Sequence, residues 1–107
     1  MSPIGANNVT ETYVITFQVK PSEREKFTAL LAPVLDAMRH ETTFERASLH
    51  VDPEDANRFQ LHETWKDRRD VLEVQLRRPY RTAWHAALDD LLERPREIAV
   101  WSLLRAD

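Results

Sequence analysis

The sequence predicts an α+β domain of the ferredoxin-like, split β-α-β type: an antiparallel sheet with its helices on one face. Three observations carry this. Alternating polarity marks strands at 12–20, 44–51 and 58–65, with a fourth over 98–104. Two stripes of helical period separate them, giving the order β-α-β-β-α-β. At 107 residues the chain can fill one core and not two of ordinary size. A sheet covered on one side leaves the other bare. Apolar side chains fall on that second face at either parity, so a homodimer through it is expected.

Each element has its own signal. Residues 1–11 read as a disordered tail with no signal-peptide character, and 12–107 as the domain. Tyr13, Ile15, Phe17 and Val19 alternate with Thr16, Gln18 and Lys20, and Pro21 stops the strand. Ser22 and Glu25 have capping-box spacing, after which Phe27, Leu30, Leu31, Val34, Leu35 and Met38 form a helical stripe reaching about His40. Pro33 lies inside that helix and should kink it. Leu49 and Val51 oppose Ser48 and His50, and the run 52–57 is turn chemistry before the strand 58–65, so a hairpin is expected. Asp67 can cap a short helix marked by Val71, Leu72 and Leu76, which Arg78-Pro79 should break. A last helix carries Tyr80, Trp84, Ala87, Leu88 and Leu91, and Pro95 ends it before the final strand.

Composition excludes several function classes. The 15 Lys+Arg against 18 Asp+Glu give a net charge of -3, without the basic excess that phosphate backbones attract, so no nucleic-acid partner is expected. Zero Cys removes thiolate nucleophiles, disulfides and Cys-ligated metals. A single Gly argues against phosphate-cradling loops, dinucleotide fingerprints and the serine elbow. The longest apolar run, 29–35, is far below membrane-spanning length, so no membrane partner is expected, and the absence of cysteine fits a cytoplasmic location.

Several side chains are candidates for chemistry. His40, His50, His62 and His85 show no metal-ligand spacing, and no metal site is expected. His40 falls in a last helical turn, where an imidazolium complements the helix dipole. His50 and His62 lie on adjacent strands, off the Leu49/Val51 and Leu61/Trp65 face. Trp65 is either a core anchor or an aromatic pocket wall, and His85, at the edge of the last stripe, either reaches a cavity or stays at the surface. Arg68, Arg69, Arg77, Arg78 and Arg81 are interleaved with Asp67, Asp70 and Glu73, as on a salt-linked helix face. Asp89 and Asp90 diverge by about 100° on a helix and cannot share a substrate.

These residues, in their order, resemble the antibiotic biosynthesis monooxygenase family of small dimeric α+β barrel proteins, which includes quinol monooxygenases. The resemblance covers 13–105 and rests on Val19-Lys20-Pro21, Glu41-Thr42-Thr43-Phe44, Asp52-Pro53 through Arg58-Phe59, and Pro95-Arg96. It rests most on Glu63-Thr64-Trp65 and on Val74-Gln75-Leu76-Arg77-Arg78-Pro79-Tyr80-Arg81. It implies oxidation of a small aromatic quinol or phenol by O2 without flavin, haem or metal, the deprotonated substrate passing an electron to oxygen. It implies a pocket between the sheet and the second helical region, with His85 as the catalytic base and Trp65, Gln75, Tyr80 and Arg81 as substrate-binding residues.

The sequence also departs from the family. Many members carry a His where Gln75 stands, and their Glu-Pro-Gly is here Glu41-Thr42-Thr43. The alternative is therefore a non-catalytic dimeric ligand-binding or stress-response protein. A haem-degrading branch of the same fold uses an Asn, a Trp and a His at positions occupied here by Val14, Gln75 and His85. Only the His is present, so haem degradation is not expected.

Overall fold

Strand β1, Glu11–Gln18, sends Tyr13, Ile15 and Phe17 to one side and Thr12, Val14 and Thr16 to the other. The computed structural model describes residues 10–107. The expected tail over 1–11 thus lies outside the described residues for its first nine positions, while Glu11 opens the strand. Glu11 is held there because its buried carboxylate takes a hydrogen bond from Arg68 Nε at 2.8 Å.

The turn at Pro21–Glu23 is a 3₁₀ segment, and helix α1 follows over Arg24–Met38. The capping box expected at Ser22 and Glu25 is not formed. Instead Pro21 presets the backbone angle, and the amide of Arg24 bonds to the Pro21 carbonyl. Helix α1 continues through Pro33 and buries Phe27, Leu31, Val34 and Met38. Strands β2 (Phe44–Asp52) and β3 (Asp55–Trp65) form the hairpin, joined by only Pro53 and Glu54. The expected turn over 52–57 is shorter because Asp52 Oδ1 accepts the Glu54 amide at 2.8 Å, and the pairing steps from Val51–Phe59 to Asp52–Asp55. No described residue has a positive φ.

Asp67 caps helix α2 (Arg68–Glu73), accepting from the amides of Arg69 at 2.9 Å and Asp70 at 3.3 Å. Two 3₁₀ turns, Gln75–Arg77 and Pro79–Arg81, separate it from helix α3, Thr82–Leu91. Strand β4 spans Glu97–Ser102, shorter than the expected 98–104.

All pairings are antiparallel, and the open sheet has the order β2-β3-β1-β4. The fold is the expected α+β, ferredoxin-like one. Its core is aromatic at the centre: Phe27 lies 5.1 Å from Phe17, 4.8 Å from Phe59 and 5.3 Å from Trp84, by ring centroids. The sheet's second face corrects the expected contiguous apolar surface. The positions that alternate away from the core are mostly Thr, Gln, Ser and His, and apolar contact area is confined to Val14, Ala99 and Trp101. Trp101 is 64% exposed. His50 and His62 do leave the core face together, with ring centroids 5.0 Å apart.

Candidate functional site

Toward β4 the helices thin out over the sheet, and a cavity of about 290 Å³ opens between the core face and the second helical region. Alternation supplies its floor: Tyr13 and Ile15 from β1, Leu61 and Glu63 from β3, Ile98 and Val100 from β4. Val71 and Leu72 of α2, with Leu76 just beyond, form the roof, and Arg81, Trp84 and His85 close one wall at the start of α3. Arg96 enters from the loop before β4. The walls are apolar apart from a few converging polar groups, the composition of a ligand site.

Burial, with the nearby cations of Arg96 and Arg81, holds the His85 imidazole below its ordinary pKa of 6.5. It is therefore neutral at pH 7 and able to accept a proton. Glu63 moves the opposite way. Burial pushes its carboxyl above the usual range, against the Trp65 indole N–H, which donates to Glu63 Oε1 at 3.0 Å, and against Arg81 and Arg96. Tyr13 is raised first by burial and then by the charge of Glu11, to which its hydroxyl donates at 3.4 Å.

The five residues expected at the site divide into two layers. His85 and Arg81 line the cavity. Trp65, Gln75 and Tyr80 stand behind it. Trp65 is fully buried, edge-on to Phe44 with centroids 5.3 Å apart, and the Arg81 guanidinium lies 5.9 Å from its ring and 5.5 Å from that of Tyr80. Gln75 is buried and donates to Asp70 Oδ2 at 3.0 Å, which also accepts from Thr43 Oγ1 at 2.5 Å. The Tyr80 hydroxyl donates to Glu41 Oε2 at 3.0 Å, with Gln75 Oε1 3.3 Å away, and Arg78 pairs with the other Glu41 oxygen at 3.1 Å. This network ties the segment under the roof to the loop after α1 and holds Arg81 from behind.

Sequence reasoning passed over Glu63, Arg96 and Tyr13 as site residues. The available signal was parity: in Leu61-x-Glu63-x-Trp65 a carboxylate occupies an inward position of a strand, where an acid is out of place without a local reason. The haem-branch positions are not gathered. Val14 projects from the face of β1 opposite the cavity, Gln75 is behind it, and only His85 is on its wall. Among the described residues no cluster of three or more His, Cys, Asp or Glu is placed to hold a metal, and no helix is long and apolar enough to cross a membrane.

The family described as antibiotic biosynthesis monooxygenase matches residues 12–93. The chain belongs to that family. A presumed monooxygenase of Pestalotiopsis microspora is 28% identical over 82% of this chain and 74% of its own length. An uncharacterised protein of Synechocystis is 29% identical over 80% of this chain, which spans only 58% of that relative. Among solved structures, a presumed antibiotic biosynthesis monooxygenase of Nitrosomonas europaea superposes with a TM-score of 0.84 at 20% identity, covering 91% of this chain and 92% of that one. SnoaB of Streptomyces nogalater, a cofactor-independent oxygenase, superposes with a TM-score of 0.77 at 20% identity, covering 91% and 95%. At such identities the structural matches establish the antibiotic biosynthesis monooxygenase fold alone.

Proposed function

We propose that the chain is a cofactor-independent monooxygenase of a small aromatic quinol or phenol, working as a homodimer. The observation that carries this is a neutral imidazole, His85, on the wall of an otherwise largely apolar cavity in a member of this family. Such a cavity packs a flat aromatic ring against Leu72, Leu76, Ile98 and Val100, side chains otherwise about half exposed, and the imidazole takes the hydroxyl proton. The phenolate so formed is electron-rich enough to reduce O2 directly. One oxygen atom becomes a ring carbonyl, and the other leaves as water with two hydrogens of the substrate, which supplies all four electrons. Arg81 shares the wall with His85, where its cation favours the anionic form of the substrate, and Trp65, Gln75 and Tyr80 fix Arg81 and the roof in place. SnoaB's cofactor-independent chemistry on the same fold supports reading the reaction without a bound cofactor.

Oxygen uptake with a panel of hydroquinones tests the reading, using protein stripped of metal and flavin. A rate well above spontaneous oxidation is expected, and no excess rate overturns it. The second reading, binding without turnover, is favoured by Gln75, which is committed to Asp70 at the position where the family resemblance implies a His in many members. Ligand-dependent thermal stabilisation without oxygen consumption would establish that reading instead. The dimer is supported by the uncovered sheet face and by Trp101 on it.

A further inference from the structure

We propose that the substrate carries a carboxylate: the cavity takes a hydroxylated aromatic acid whose anionic end faces Arg81 and Arg96 while its ring lies among Ile15, Leu72, Leu76 and Val100. This rests on the reading of the cavity as an aromatic-substrate site and adds the charge of its occupant. The cavity wall has an excess of positive charge. Arg81 and Arg96 both line it, and among the described residues neither is in an ion pair within 4.0 Å. The one acid on the wall is Glu63, where one carboxylate oxygen is already taken by the Trp65 indole. Burial also works against its negative charge. His85 adds nothing at neutral pH. The wall is thus left with at least one uncompensated guanidinium.

Arg81 makes the point most sharply. It is only 5% exposed, yet its buried Nε has no hydrogen-bond partner. A buried cation left short of acceptors is unfavourable unless something else completes its surroundings. Its close neighbours are the rings of Trp65 and Tyr80, which attract the cation, and the Tyr80 hydroxyl, a neutral acceptor that leaves the positive charge unpaired. An arginine placed this way suits a planar, bidentate oxygen pair. A simple phenol is neutral until about pH 10, so the group that arrives already charged at neutral pH is a carboxylate. The volume of about 290 Å³ is at the lower end for ligand sites, which limits the ring system to one or two fused rings. A carboxylate held by the two arginines also fixes which edge of the ring is presented to His85.

Isothermal titration with 1-hydroxy-2-naphthoate and with its neutral methyl ester tests this, without requiring turnover. The acid should bind at least about tenfold more tightly than the ester, as charge-assisted pairing to guanidinium implies. In Arg96→Gln the preference should fall to within about threefold while ester affinity is kept. Arg96 is on a loop and its loss leaves the core packing untouched, so this variant remains informative even where Arg81→Gln folds poorly. Equal binding of acid and ester overturns the charge inference and leaves the aromatic site standing. A preference for the acid that survives in Arg96→Gln and Arg81→Gln also overturns it. Failure of both probes to bind overturns it together with the aromatic reading of the cavity.

Discussion

His85 and Glu63 face one cavity and are pushed in opposite directions by the same burial, the imidazole toward its neutral form and the carboxyl toward its own. If His85 is the base, His85→Ala lowers kcat by about 10²-fold or more, and an unchanged rate in steady-state assays removes it from that role. The base works only unprotonated and its folded-state pKa lies below 6.5, so the midpoint of the acid limb of kcat/KM is expected below 6.5. A midpoint of the acid limb at or above 6.5 contradicts this. The Arg96 cation contributes to the depression, so Arg96→Gln should move the His85 titration upward, read directly from imidazole NMR shifts against pH. The same sign governs stability. The unfolded chain binds the His85 proton more readily than the folded one, so this residue's contribution is intact above 6.5 and is lost as pH falls through that range.

At the scale of elements, Asp67 is the clearest hinge between sequence and site, because its two cap bonds start the helix that roofs the cavity. Asp67→Ala should cost about 1 kcal/mol in a urea melt and raise KM more than it lowers kcat. A variant with unchanged stability would show the cap to be dispensable. This cap was legible from the sequence, as were the hairpin, the helical stripes and the departure of His50 and His62 from the core face. Local periodicity decides all of those. The start of α1 was not, because Pro21 organises a 3₁₀ turn before the Ser22–Glu25 pair can act. The second face is mostly polar because nearly all apolar strand residues share the parity that faces the helices, which leaves only Val14, Ala99 and Trp101 on the other side. Of the cavity wall, His85 was legible at the edge of a helical stripe and Arg81 only through the family resemblance, whereas Glu63 and Arg96 depended on how strands and loops converge from distant parts of the chain.

For the whole molecule, the second sheet face is the surface that a second copy would cover, and Trp101 is the largest apolar group on it. Light scattering is expected to give a mass of about twice 12.6 kDa, and Trp101→Asp to shift it toward the monomer. A monomeric mass for the unaltered chain at micromolar concentration overturns the dimer. The backbone carries a different consequence. Since none of the described residues has a positive φ, no turn that shapes the cavity demands the left-handed backbone that favours glycine. A saturation library at the loop carrying Arg96 should therefore return mostly folded clones, whose differences report on ligand recognition and not on backbone strain.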